Sequence, residues 1–382
     1  MWKVAHRELR RILKKPSYTI ILTVGVAISF LFFATIADEG QPHELPVAVV
    51  DLDGTYLSRR LCHELDATQA VNVVAVYHTH GDARSAMQRG EIFAFYEIPH
   101  GTYGEVLRFR APSLELYTNQ SYLLAGSLSY KELATMGKLA AGAVQREVLR
   151  KKGMDENLIM GLIQPIALDT HPIGNSKGSY QVYLMTTIIP GIIILMAMLQ
   201  TAYVIGREQE ERTVRGWMRT ARGNAMKAFV GKILPYMVYY TLLLLVAEII
   251  MYGPMHLPMS GSWGLMMVLA LLSVLAAQSA ACFLMGCVPD SSVAMSLTSA
   301  YGTLAFTMCG FSFPVDAMPV PMQVFSMLFP LRYYWLAMRD ITLFDNGIGY
   351  VWPQLCVLAV FGLLLVGGAF VFGRQYERRV KC

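Results

Sequence analysis

Charge is scarce in this sequence: Asp, Glu, Lys and Arg make up only 15% of its 382 residues, against 54% hydrophobic residues. Soluble domains carry about a quarter charged residues, so a fold whose whole surface faces water is excluded. Cysteine is sparse too. Cys62, Cys282, Cys287, Cys309, Cys356 and Cys382 show no C-x-x-C spacing, so neither a disulfide framework nor a metal site is expected. A large excess of one charge sign is also missing. The formal net charge of +5 is too small to argue for nucleic acid as a partner. No nucleophile and base cluster at one depth of the chain, so no catalytic residues are expected.

What the sequence has is long apolar runs. A helix needs about 20 apolar residues to cross a bilayer, because each residue rises 1.5 Å and no backbone amide can stay unpaired in lipid. Six stretches meet or approach that length: Tyr18–Ala37, Val182–Ile205, Ile233–Tyr252, Trp263–Val288, Val293–Phe313 and Leu355–Phe372. The first follows a basic segment, as a signal peptide would. It is longer than a signal core, however, and ends in Ile36-Ala37-Asp38 without a small-residue cleavage pattern, so it reads as a retained helix.

Basic residues flanking short loops mark the cytoplasmic side. They concentrate in three places: Lys3, Arg7, Arg10, Arg11, Lys14 and Lys15; Arg207, Arg212, Arg215, Arg219, Arg222, Lys227 and Lys232; and Arg374, Arg378, Arg379 and Lys381. Six crossings put all three on one side, so both termini are expected in the cytoplasm. Residues 1–16 place Trp2, Ala5, Leu9, Ile12 and Leu13 on one helical face, an amphipathic helix expected to lie along the inner membrane surface.

The fold class expected is thus an α-helical polytopic membrane protein with six transmembrane helices, both termini inside, and an inserted α+β extracytoplasmic domain. Its parts are the interfacial helix 1–16, a first transmembrane helix 17–37, the outer domain 38–180, helices two to six over 181–373, and a cytoplasmic tail 374–382. In the outer domain, Leu45–Asp51 reads as a buried strand, Tyr56–Asp66 as a helix, Val71–Tyr77 as a strand, Ala83–Arg89 as a helix and Ile92–Ile98 as a strand. Pro99–Gly104 reads as a turn and Ser121–Lys152 as a long helix. Asp51 and Asp53 beside Gly54 suit turn and capping roles better than metal binding.

The connection after the second apolar run, Gly206-Arg-Glu-Gln-Glu-Glu-Arg-Thr-Val-Arg-Gly-Trp-Met-Arg-Thr220, is too charged to enter lipid. Val214, Trp217 and Met218 form a small apolar stripe on it, suited either to an aromatic anchor for a partner protein or to packing on the membrane face. This stretch, with Gly231-Lys-Ile-Leu-Pro-Tyr236, resembles the ABC exporter permeases of the type-2 class, in the bacterial drug-efflux-type branch with a large domain between the first two helices. The match lies at Arg207, Glu208, Glu210, Thr213, Thr220 and Gly231–Tyr236. Arg212 and Ala221 stand where that family usually has Gly and Pro. Val47–Arg60, Phe313–Pro319, Phe329-Pro330 and Arg332–Trp335 extend the resemblance over nearly the whole chain.

The resemblance implies a coupling helix within 206–232, seated on a separate ATPase, with Glu208, Glu210, Thr213, Val214, Trp217, Met218 and Thr220 as coupling residues. It also implies an outer re-entrant hairpin over 314–352. The nearest approach to a nucleotide-binding loop is Gly231-Lys232, but Met226 and Ile233 occupy its other defining positions. ATP and Mg are therefore expected on partner ATPase subunits, with no cofactor on this chain. Other expected partners are a second permease copy or a related permease, membrane lipid, and a periplasmic adaptor.

Glu248, the lone carboxylate within an apolar run, and Asp316 and Arg332 in the hairpin are candidate pathway or gate residues. The function expected is export of a hydrophobic or amphipathic substrate across the bacterial plasma membrane. The rival reading is a mechanotransmission or signalling module whose outer domain acts on a partner without translocation.

Overall fold

The first helix owes its form to two periodicities at once. In a computed structural model, which describes residues 1–14, 17–36, 40, 42–66, 68, 70–108, 110, 112–164, 171–176 and 178–381, α1 (Trp2–Lys14) buries Val4, Ala5 and Glu8 along one stripe. Trp2, Leu9 and Leu13 stay exposed on another. An apolar helix, α2 (Ser17–Ile36), follows. The chain divides into two compact units, one comprising Met1–Gly40 with Pro172–Cys382 and the other Gln41–His171.

The inserted unit runs β1 (Leu45–Asp51), α3 (Tyr56–Asp66), β2 (Val71–Tyr77), α4 (His80–Gln88), β3 (Ala94–Ile98), α5 (Thr102–Leu107), β4 (Glu115–Thr118), α6 (Leu123–Lys151) and α7 (Glu156–Ile163). Its sheet has the order β2-β1-β3-β4. Val49 pairs in parallel with Val76 of β2 and Tyr96 of β3, and β4 returns antiparallel with Thr118 opposite Ala94. The central strand is buried on both faces, as its continuous apolar run requires. Leu45, Val47 and Val49 face Leu65 of α3 and Leu133 of α6, while Ala48 and Val50 face Ala83 and Ala86 of α4. Strands and helices therefore interleave in parallel β-α-β units, closer to α/β than to the segregated α+β expected. Parallel neighbours need a crossover, and the helices between strands supply it.

The larger unit resumes with α8 (Tyr180–Glu210), α9 (Val214–Thr220), α10 (Ala225–Tyr252), α11 (Trp263–Cys287) and α12 (Ser291–Met308). A 3-10 turn at Val315–Ala317 leads to α13 (Val320–Ser326), α14 (Pro330–Thr342), α15 (Ile348–Phe361) and α16 (Leu363–Lys381). Side-chain caps start several of these helices: Ser179 for α8, Asn224 for α10 and Asp290 for α12 each accept from a first-turn amide. Among the described residues, four helical stretches are long and apolar enough to cross a membrane: Tyr180–Glu210, Ala225–Tyr252, Trp263–Cys287 and Ile348–Glu377. A shorter apolar helix covers Ile20–Ile36.

At the centre of this unit, α11 packs on α8, α10, α14, α15 and α16. Its small residues Ala276, Ala277, Ala280 and Ala281 are buried within the chain. Backbones of α11 and α16 touch: a Cβ built on Gly286 would stand 2.3 Å from the Gly368 carbonyl oxygen, and one on Gly368 2.5 Å from that of Cys282. Only glycine permits that approach, which is how helices lacking a hydrophobic drive toward each other gain contact in lipid.

Candidate functional site

The charged stretch 206–232 divides among three helices. The end of α8 carries it through Glu210, α9 holds Val214–Thr220, and α10 takes over from Ala225. Two residues in left-handed backbone set the turns, Arg212 at φ 55° and Arg222 at φ 58°. Arg212 follows the C-cap of α8, the position where glycine is favoured because it has no Cβ to clash.

Inside these turns lies a buried ionic cluster. Lys232 of α10, wholly buried, donates to Glu8 of α1 at 3.0 Å and to Glu208 of α8 at 2.9 Å. Glu208 also accepts from Arg7 Nη2 at 3.0 and 3.1 Å, from Arg11, and from the Thr213 hydroxyl at 2.5 Å. Arg11 reaches Glu211 at 3.0 Å, and Arg207 holds Glu211 at 2.5 Å. Four cations thus meet three carboxylates. Glu211, outside the helix proper, is held below the usual carboxylate range by its hydrogen bond from Arg207.

Gly231 permits the geometry. A Cβ there would lie 2.6 Å from the Met1 carbonyl oxygen and 2.8 Å from Val4 Cβ, so the preceding residue lets α1 dock where Lys232 can reach its acid. A buried ion pair costs desolvation that its attraction only partly offsets, so its value is greatest as a fixer of register between helices. Here it fixes α1, α8 and α10 against one another. Sequence reasoning counted Arg7 and Arg11 only as orientation signals, took Lys232 as one of these and as part of the Gly231–Tyr236 motif, and passed over Glu8. The readable signal was a lysine seven residues inside an apolar helix, which requires an acid from elsewhere.

The short helix α9 is tied to the same cluster from inside. Trp217 is fully buried, with its ring 5.0 Å from Lys232 Nζ and its Nε1 donating to the Ala228 carbonyl at 3.3 Å. It packs on Phe229 and Phe372 at centroid separations of 5.3 and 5.6 Å. Met218 is buried beside it, so the Trp-Met stripe faces the chain's own interior. Val214 and Thr220 are half-buried, and Glu210, Arg215, Gly216 and Arg219 are exposed. A cavity of about 430 Å³ opens next to α9, lined by Arg212, Val214, Arg215, Pro289, Gln375 and Tyr376 among others.

The three expected gate residues do not share contacts. Glu248 is buried and accepts from the Tyr334 hydroxyl at 3.0 Å, joining α10 to α14, while its Oε2 has no hydrogen-bond partner among the described residues. Arg332 donates to Ser326 within the turn between α13 and α14. Asp316 is exposed and uses its backbone carbonyl to accept from Gln323. In the inserted unit, Asp51 and Asp53 are consumed by turn amides: Asp51 accepts from Gly54 at 2.8 Å and Asp53 from Gly101 at 2.8 Å. Among the described residues no group of His, Cys, Asp and Glu is arranged to hold a metal ion.

Apolar helices of spanning length, packed around glycine contacts and closed at one end by a charged cluster, define a multi-pass membrane protein. Residues 17–371 match the family model described as ABC-2 family transporter protein. The chain belongs to this family and is an ABC transporter permease. It is similar to the probable multidrug ABC transporter permease YbhR of Escherichia coli strain K12, with 22% identity over 385 residues covering 98% of each chain. The same similarity holds for YbhR of Escherichia coli O157:H7.

Proposed function

We propose that this chain is the transport subunit, not itself an enzyme, of an ATP-driven exporter in a bacterial plasma membrane. It crosses the bilayer six times, with α2, α8, α10, α11, α12 and the α15–α16 pair as spans. Both termini lie in the cytoplasm and the inserted unit lies outside. A separate ATPase binds ATP and Mg and drives a pair of permeases, which move a hydrophobic or amphipathic substrate outward. A periplasmic adaptor is a further partner of the inserted unit.

One observation carries this reading. The α9 helix is bolted inward by Trp217 and the Lys232 cluster, yet presents Arg215, Gly216 and Arg219 outward. A force applied to that outer face passes to α10 and α16 through the Trp217 ring packed on Phe229 and Phe372, and to α1 and α8 through Lys232, which cannot slip without leaving a charge unpaired. Such a coupling helix meets its ATPase through the exposed arginines and the adjoining cavity, not through the tryptophan.

The test separates those two faces. Arg215→Glu combined with Arg219→Glu is expected to abolish co-purification of the ATPase while leaving the melting temperature of the permease unchanged. Trp217→Ala is expected to destabilise the permease itself by about 3–5 kcal/mol. Undiminished ATPase capture by the double arginine variant overturns the assignment of α9.

A further inference from the structure

A second cleft lies on the other side of the ionic cluster. It encloses about 590 Å³ between α1 and the end of α8, lined by Lys3, Arg7, Arg10, Arg11, Lys14 and Arg207, with Glu211 its one acid. Arg7, Arg11 and Arg207 are engaged by Glu208 and Glu211, as described above. Lys3, Arg10 and Lys14 make no ion pair among the described residues, so the cleft keeps an uncompensated positive charge. Arg7 Nη1 is buried with no acceptor among the described residues, a donor whose omission from hydrogen bonding is costly. Around the helix from the packed face, Trp2, Leu9 and Leu13 are 73%, 47% and 74% exposed.

These features fit one kind of occupant. Apolar groups on one side of a helix and unpaired cations on the adjoining side match a molecule that has an acyl tail and an anionic phosphate head. We infer that the cleft between α1 and α8 is a binding site for the phosphate headgroup of an anionic phospholipid, whose tails lie against Trp2, Leu9 and Leu13. The inference rests on the proposed function only in placing α1 at the bilayer surface, and is independent of the ATPase. Because the cleft shares Arg7 and Arg11 with the buried cluster, a headgroup there touches the same arginines that hold α1 to α8.

The test titrates the full-length chain, purified in neutral detergent, with phosphatidylglycerol, phosphatidylcholine or inorganic phosphate, and follows melting temperature and lipid retention by native mass spectrometry. Phosphatidylglycerol is expected to raise the melting temperature and to be retained, with phosphatidylcholine and inorganic phosphate having little effect. Lys3→Gln, Arg10→Gln and Lys14→Gln together are expected to weaken phosphatidylglycerol binding by up to about a hundredfold, at roughly fivefold per lost cation. The melting temperature without lipid is expected to stay unchanged, because none of the three is paired. An equal response to phosphatidylcholine, or an unaltered phosphatidylglycerol response in the triple variant, overturns the site. Inorganic phosphate reproducing the full shift overturns the lipid assignment. ATPase co-purification, read on the same triple variant, is expected to persist, so loss of the lipid site and loss of coupling are distinguishable.

Discussion

Lys232 ties three other helices to α10. It contacts Glu8 and Glu208 and sits under the Trp217 ring. Removing it leaves buried Glu8 with Arg11, 3.7 Å away, as its remaining cation among the described residues, so Lys232→Met is expected to destabilise the permease by about 3–5 kcal/mol. Adding Glu8→Gln is expected to restore part of that loss, because Glu208 stays paired with Arg7 and Arg11 while the neutral amide at position 8 needs no counter-charge; thermal melting in detergent measures both. Arg212 offers the opposite case. Its φ of 55° places a Cβ in backbone space that L-residues avoid. Arg212→Gly is expected to raise stability by up to about 1 kcal/mol, the relief of strain being partly offset by the freer unfolded chain.

At the scale of elements, the spans and most strands were legible because local length and composition mark them: unbroken apolar runs near 20 residues for the spans, short ones bounded by turn residues for the strands. Leu45–Asp51, Tyr56–Asp66 and Val71–Tyr77 form the strand, helix and strand that their patterns predict. Other pieces were not. The β4 strand, Glu115–Thr118, is four residues long and half exposed, with its partner Ala94–Ile98 distant in sequence, so no local period marks it. The expected turn at Pro99–Gly104 instead opens a helix at Thr102, entered through Gly101 in left-handed backbone. The inward direction of Trp217 was equally hidden, since a seven-residue helix carries too few turns to show which stripe is buried. The seam between α11 and α16 gives this scale its prediction. Gly368→Val sets a branched side chain against the backbone of Cys282 and Phe283, and is expected to cost several kcal/mol by forcing the helices apart. A melting temperature within a degree or two of the parent would show the seam to be loose.

For the whole molecule the prediction concerns sidedness, which cysteine labelling reads directly. Cys62 is a natural reporter in the inserted unit, but burial, aided by the Asp51 carboxylate, pushes its thiol up to about 11. Thiolate is the reactive form, so at neutral pH it should label about a hundredfold more slowly than an exposed cysteine, and faster as pH rises. The exposed position Ser121 avoids this. An impermeant maleimide is expected to label Ser121→Cys on intact cells and Arg215→Cys only after permeabilisation; the reverse pattern would invert the proposed orientation. The sequence carried that expectation through its basic loops, because charge bias acts one loop at a time. It could not display the cluster that joins residue 8 to residue 232, since no local pattern links positions so far apart.

That separation has a consequence for how the protein is made. Glu8 and Lys232 are 224 residues apart, and a ribosome adding about 5–20 residues per second needs roughly 10–45 s to travel between them. Throughout that interval α1 has been synthesised and its acid has no lysine to meet. The arginines of α1 can meet Glu208 once α8 is made, but the packing of α1 on α10 and the contact of Glu8 with Lys232 come only after α10 emerges. The final docking of α1 is then a late step in biogenesis, one that follows synthesis of both α8 and α10.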